Sequence, residues 1–238
     1  MRASAGLKSL IKRSPLSRYL CGRDDFVRHR AAARLLGSGI ATALDVGGEG
    51  MMAKFRRDVR FTTANVKKAD AVASAERLPF RDNSFDAVVC IDTLEHLPRG
   101  IRTAAVAEMV RVARKRVVVA APLGTEGHMA FERRLLEELV RAGAADTGYL
   151  AEHVRHGLPT PEDIDRLRRA FGGEVWYEGD YRHAGGLVSA RSFMTFVKSI
   201  INNMYSDLSF RKCLSGKPCR HSNRFYLAIV LNTRNMNL

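Results

Sequence analysis

Short unbroken apolar runs alternate along this chain with stretches of helical spacing. The runs fall at about 40–46, 59–66, 86–91 and 116–121, the last closed by Pro122, with a shorter segment at 70–74. Apolar runs of this length without internal alternation suit strands covered on both faces. Val59–Val66 adds β-branched residues and Phe61, which favour extended backbone. Between the runs, Phe26, Ala31, Leu35 and Leu36 share one face of a helix expected over about 25–37, with Asp24 as its N-cap and Gly37 as its end. A short helix is expected at 51–57. Ile101, Ala105, Met109, Val110 and Val112 predict another over 101–113. Residues 124–172 read as largely helical, with one helix at Phe131–Val140 and another beginning at Thr160-Pro161, Thr as cap and Pro at the first helical position. Glu174–Tyr177 reads as a sixth strand, Ser189–Met204 as a helix with Phe193, Phe196, Val197, Ile200 and Ile201 on one side, and Phe225–Leu231 as the last strand. Strands alternating with helices predict an α/β fold, a doubly wound, mostly parallel sheet with right-handed crossovers.

The first strand ends in Ala43-Leu44-Asp45-Val46-Gly47-Gly48-Glu49-Gly50. An acid followed by glycines lets the chain turn tightly and lets a ligand approach the backbone. At the carboxyl end of a first strand this reads as a nucleotide-type site, or as a strand and a loop that happens to hold three glycines. Residues 78–98 then run Leu-Pro-Phe-Arg-Asp-Asn-Ser-Phe-Asp-Ala-Val-Val-Cys-Ile-Asp-Thr-Leu-Glu-His-Leu-Pro. With the Asp45 turn, this string closely resembles the class I S-adenosylmethionine-dependent methyltransferases, type 11-like, in the subgroup that includes the quinone-biosynthesis C-methyltransferases. The resemblance covers roughly residues 40–125. It implies a Rossmann-like sheet of seven strands whose last strand is antiparallel, a helix before the first strand covering the cofactor pocket, and S-adenosylmethionine as cofactor.

Carried over by motif, the resemblance puts Asp45 and Gly47 against the amino acid part of the cofactor, with Gly48 and Glu49 continuing the turn. Asn65, followed by Val66, stands where the family has the acid that holds the ribose hydroxyls. Ser74, before Ala75 and Glu76, stands where it has the acid that recognises the adenine amino group. Glu49 and Met51 replace glycines. A neutral amide gives up the stronger charge-assisted bonds. Two lost charged contacts at roughly 1.5–3 kcal/mol each weaken binding by one to three orders of magnitude unless other residues compensate. Asp92, Glu95 and His96 follow the fourth strand at the face where such sheets bind ligands. Asp92 is expected to border the cofactor, and His96, an imidazole titrating near neutral pH, to act as general base or simply to line the pocket. Methyl transfer depends chiefly on holding nucleophile and sulfonium carbon in line.

Residues 124–172, an insertion far longer than the roughly 2–6 residues that usually join such elements, are expected to close over the acceptor, with Tyr149, His153 and His156 lining it. His153 and His156 are three apart, but no third ligand is evident and no metal is expected. Cys213 and Cys219 likewise lack a partner pair at zinc spacing, and Cys90 is expected as a buried hydrophobe.

The net charge of +14 is unevenly placed. Residues 1–40 carry nine Lys/Arg against two acids, residues 191–238 eight against one, and the middle is balanced. Basic ends fit anionic partners (phosphorylated substrates, nucleic acid or an anionic membrane surface) or a plain solubilising surface. A small-molecule, sugar or lipid-type acceptor, anionic in one form of the expectation, is favoured over nucleic acid, because a helical insertion suits a capped pocket and no basic patch interleaved with aromatics is present. Residues 1–22 are expected as a basic arm and 23–238 as the methyltransferase domain. No apolar run reaches the roughly 18 residues of a membrane span, and four cysteines without a framework fit a reducing cytoplasm. The rival readings are a catalytically silent protein that keeps the fold and, more distantly, a nicotinamide-dependent oxidoreductase, which the missing G-x-G-x-x-G disfavours.

Overall fold

The computed structural model describes residues 15–182, 200–204 and 214–231. Seven strands form one sheet in the order β3-β2-β1-β4-β5-β7-β6. They are β1 Thr42–Val46, β2 Arg60–Asn65, β3 Ala71–Val72, β4 Phe85–Ile91, β5 Ala113–Pro122, β6 Glu174–Glu178 and β7 Arg224–Val230. The first five run parallel, and β7 lies antiparallel between β5 and β6. The helices are α1 Arg23–Leu35, α2 Met52–Phe55, α3 Arg99–Val112, α4 Glu126–Arg141, α5 Gly148–His156 and α6 Pro161–Phe171. Among the described residues no helix is long and apolar enough to cross a membrane.

The apolar runs of β4 and β5 become the centre of the sheet, and their alternate residues feed two cores. Val88, Cys90, Val117 and Val119 face α3 and α6, meeting Val106, Met109, Ile164 and Leu167. Ala87, Val89, Val118 and Ala120 face α1, whose Ala31 and Ala32 leave room for helix and sheet to approach. Each fully buried Val or Leu contributes about 1.5–3 kcal/mol. At the amino edge, Asp86 accepts hydrogen bonds from the N–H groups of Ala41 (2.9 Å) and Thr42 (3.1 Å) and pairs with Lys115 at 3.0 Å. Burial alone would raise its pKa, but these partners pull it down to about 2, so one carboxylate pins β1, β4 and β5 together.

The family-like string at 78–86 has a structural role. Glu108 accepts from the N–H of Leu78 at 2.9 Å, and Arg111 donates to the carbonyls of Phe80 and Leu78 and to Asp82. Phe80 packs edge-on against Phe85, and Asn83 takes a positive φ of 56°, a conformation Asn tolerates better than most residues. The string is thus a clasp between α3 and the start of β4.

Element boundaries differ from the expected ones by a few residues. The first helix starts at Arg23 with Gly22 as N-cap and no side-chain cap bond. Asp24 is not the cap: it lies in the first turn, where its carboxylate pairs with Arg28. β5 begins at Ala113 rather than 116, because Ala113 pairs with Phe85 across an irregularity in register. Of the expected helix 189–204, residues 200–204 are described and helical; Phe193, Phe196 and Val197 lie outside the described residues, as does Cys213. In the expected 1–22 arm, Pro15–Tyr19 forms a 3-10 turn, Ser17 and Cys21 are buried, and Tyr19 stacks on Phe26 at 5.4 Å.

The start of α6 matches its sequence signal closely. Thr160 and Asp163 form a reciprocal capping box behind Pro161. Thr160→Ala is expected to cost about 1 kcal/mol and to lower Tm by about 2–4 °C, measured by thermal unfolding; an unchanged Tm would show that tertiary packing alone sets the start of this helix.

Candidate active site

The carboxyl ends of the parallel strands place Gly47, Asn65, Asp92 and Pro122 along one rim. The turn after β1 is fastened from several sides. Asp45, almost wholly buried, accepts from the Gly50 N–H. The Gly47 N–H donates to Ala64 O at 2.7 Å, and Asn65 Nδ2 donates to Gly47 O at 2.8 Å. Gly47 has φ +77°, and a Cβ there would overlap the Thr93 side chain; a Cβ on Gly48 would overlap the Asp45 carboxylate. Both glycines are therefore required by the protein's own packing as well as by the turn. Burial pushes the Asp45 carboxyl up to about 6 against the Gly50 hydrogen bond. Glu49 is exposed on the turn.

Next along the rim, the Ala73 N–H donates to Asn65 O at 3.0 Å, bringing the segment after β3 beside β2. Ser74 Oγ donates to Glu76 Oε2 at 2.7 Å, and Ala75 is buried behind them. An acid, Glu76, therefore stands two residues after position 74, in contact with Ser74. Val66 leaves 66% of its surface exposed, an uncovered apolar face next to Asn65.

Asp92, at the end of β4, has φ +50°, costly for a non-glycine residue. Both of its oxygens are held by guanidinium groups: Oδ2 pairs with Arg28 Nε of α1 at 3.1 Å, and Oδ1 with Arg224 Nη1 of β7. Burial would raise its pKa, but Arg224 and Arg28 keep it below the usual carboxylate range. Glu95, three residues on, is fully buried; burial first and the charge of Asp92 second push it well above that range. Among the described residues no other residue donates to its oxygens, a deficit of about 1–3 kcal/mol for a group left unbonded.

The 124–172 segment comes down on this end of β4. His96 Nδ1 meets Glu152 Oε2 of α5 at 2.8 Å, its ring packs edge-on to Tyr149 at 5.3 Å, and the His153 ring lies 4.8 Å away. Burial first, then His153, lowers the pKa of His96 against the pull of Glu152. His153 Nδ1 lies 3.2 Å from Glu132 of α4. A cavity of about 390 Å³ adjoins this cluster, lined by Glu132, His153 and His156 together with Arg99, Arg133 and Arg155. The structure thus gathers Asp45, Gly47, Gly48 and Asn65 in one turn, sets Ser74–Glu76 beside it, and joins His96 to Tyr149 and His153; His156 lines the cavity instead.

Sequence reasoning did not single out Arg28, Arg224, Glu132 or Glu152. Arg28 lies four residues after Asp24 and Glu132 four after His128, spacings that signal helix-surface pairs but reveal nothing of the distant groups they face.

Residues 27–121 match the family model described as a methyltransferase domain. No curated protein matches the sequence. Among solved structures, a candidate methyltransferase of an antibiotic biosynthesis pathway in Anabaena variabilis superposes with TM-score 0.53 at 14% identity, covering 90% of this chain and 99% of that one. An S-adenosylmethionine-dependent methyltransferase of Archaeoglobus fulgidus gives 0.50 at 14%, covering 86% and 94%. A phosphoethanolamine N-methyltransferase of Haemonchus contortus, solved with phosphomonomethylethanolamine and S-adenosylhomocysteine, gives 0.50 at 13%, covering 86% of this chain and 52% of that one, so the chain spans about half its length. Identities this low speak to the fold, and the matched segment holds the Asp45 turn and the clasp at 78–86. The chain thus carries a match to a methyltransferase domain over residues 27–121, and it shares its fold with S-adenosylmethionine-dependent methyltransferases of known structure.

Proposed function

We propose that this methyltransferase acts on a small anionic acceptor held beneath the 124–172 segment, at the end of β4. The observation that carries the reading is the seating of α5 on His96 beside a cavity bearing three arginines. S-adenosylmethionine, when bound, supplies an electrophilic methyl carbon on a sulfonium. The residues present fit it. The Asp45 carboxyl and the Gly47–Gly50 turn suit an ammonium and a close backbone approach. Asn65 Oδ1 is within reach of a ribose hydroxyl, Val66 offers an apolar face to the base, and Glu76, steadied by Ser74, an acceptor for its amino group. Asp92 borders the site as the anchor of Arg28 and Arg224 rather than as a free acceptor. His96, oriented by Glu152 and packed beside His153 of the cavity wall, takes the acceptor's proton. Arg99, Arg133 and Arg155 recognise the acceptor's anion. In this placement the acceptor is a small molecule rather than nucleic acid or a membrane surface. The cytoplasm is the proposed compartment.

Asn65 spends its amide N–H on the turn, so we expect S-adenosylhomocysteine to bind with micromolar or weaker affinity in calorimetry, and nanomolar binding would show that other groups replace the missing acid. Asp45→Asn should abolish or greatly weaken that binding while leaving the fold intact. Asp45 also predicts a pH dependence. Its carboxyl titrates near 6 in the free protein, and an ammonium favours the ionised form, so affinity should rise with pH up to about 6, by as much as tenfold per unit, and level off above. For stability the sign is opposite. An acid whose folded pKa lies above the unfolded 3.8 favours the fold most below pH 4, and about 3 kcal/mol is lost as pH rises to 6. Asp45→Asn removes this slope, measured as Tm against pH; a slope unchanged in the variant would assign it elsewhere.

The acceptor side is tested by S-adenosylhomocysteine release with phosphorylated and neutral small acceptors. Arg133→Ala and Arg155→Ala should raise KM for the phosphorylated class about tenfold or more, one lost charged contact, with cofactor affinity unchanged. Equal turnover of neutral acceptors by all three proteins would remove the anionic reading. Cofactor binding without turnover of any acceptor would leave a cofactor-binding protein.

A further inference from the structure

The same end of β4 holds a group of side chains that methyl transfer alone leaves unexplained. One ligating atom each from Glu95, His96 and His153 lies within 4.8 Å of the other two. Glu95 is fully buried, and among the described residues no other residue donates a hydrogen bond to either of its oxygens. Buried carboxyls are nearly always bonded, so a carboxyl grouped with two imidazoles and served at most by its own backbone N–H calls for a ligand. The imidazoles are oriented as metal-bound histidines are. His96 Nδ1 sits against Glu152 at 2.8 Å and His153 Nδ1 against Glu132 at 3.2 Å. A carboxylate on Nδ1 fixes the hydrogen there and leaves the Nε2 lone pair for a cation. Glu132 is itself flanked by His128 Nε2 at 3.7 Å.

We propose that Glu95, His96 and His153 form a site for a divalent transition metal, zinc in the first instance, with Glu152 and Glu132 as its orienting carboxylates. Two histidines and one carboxylate with an open position make a ligand set of catalytic zinc sites, whereas magnesium and calcium take mainly oxygen ligands. Bonds of about 2.0–2.1 Å in a tetrahedron set ligating atoms about 3.3–3.5 Å apart. The three side chains therefore close by up to about 1.5 Å on binding, a movement open to His96 and His153 at the rim. The chain supplies the ligands from two places 57 residues apart, the turn after β4 and α5, so the cation would also fasten the lid. This inference rests on the reading of β4 and α5 as the acceptor side. His153 is shared with the arginine-lined cavity, so an acceptor oxygen is the fitting further ligand, and with the cation bound, activation of that oxygen passes from the His96 imidazole to the metal.

The test uses the full chain, stripped of metal by a chelator, with Zn²⁺ alone in calorimetry and Co²⁺ alone in visible absorption. One equivalent of Zn²⁺ should bind, and Co²⁺ should give ligand-field bands. Glu95→Gln and His153→Asn should each weaken Zn²⁺ binding about tenfold or more, and Glu152→Gln about 10–100-fold, as outer carboxylates do. S-adenosylhomocysteine affinity, measured on each protein, should stay unchanged and reports that the variants fold. Absence of Zn²⁺ binding, or equal binding by wild type, Glu95→Gln and His153→Asn, overturns the proposal. Zn²⁺ binding without S-adenosylhomocysteine binding would instead remove the methyl-transfer reading and leave the metal site standing.

Discussion

The rim depends on the ion triad of Asp92 with Arg28 and Arg224. Three elements distant in sequence, α1, β4 and β7, meet at one carboxylate, and Asp24 joins them at 3.8 Å from Arg224. Taking such charges out of water is costly, and a buried pair repays this only with good geometry and satisfied hydrogen bonds. Here two cations share one acid that is also locked into a left-handed backbone conformation. The arrangement is therefore better understood as positioning than as net stability. Removing one arginine leaves a charge with a single partner in a poorly solvated place, the situation that costs about 3–5 kcal/mol in buried pairs. The triad also acts on its neighbour: after burial, the charge of Asp92 is the next cause that raises the pKa of Glu95.

The central strands were legible in the sequence because β4 and β5 are covered on both faces and leave nothing polar to interrupt their apolar runs. The Thr160 cap was legible because its bonds are local. Asp24 misled for the complementary reason: its spacing suits a cap, but Arg28 and Arg224 compete for its carboxylate, and Gly22 takes the cap position. The clearest motif, Leu78 to Asp86, proved to be a clasp around Arg111 and Glu108. A specific string can therefore mark a family through its scaffold, while the positions that recognise a ligand are free to drift. Asn65 shows this drift. It stands at an acid's position, yet its amide now braces the Gly47 turn.

The acceptor side was only partly legible. Tyr149 and His153 could be named as lining residues, but spacing alone paired His153 with His156, three residues away. The fold pairs it with His96 instead, because α5 crosses the turn after β4 while the C-terminal end of α5 is drawn towards Arg102, which donates to the His156 and Gly157 carbonyls. Glu132 and Glu152 carried no signal, since an exposed-looking acid on an amphipathic helix is indistinguishable from a solvated one until its partner is known.

How α5 is held bears on how the site works. None of its residues is fully buried, so it gains little of the apolar burial that fixes α3 and α6 to the sheet. Its attachments are mainly polar and aromatic contacts at the rim: Glu152 on His96, His153 on Glu132, Tyr149 on the edge of His96. Gly143 and Gly157, with φ of +69° and +70°, flank it. Elements with few buried apolar contacts open at lower free energy than the core, and lids of this kind gate access to enclosed sites. The groups that dock α5 are the same groups that the proposed reading turns towards the acceptor. A ligand engaging His96 and His153 therefore adds to the rim contacts that keep the helix in place, so occupancy of the site and closure of the segment are linked through those two imidazoles.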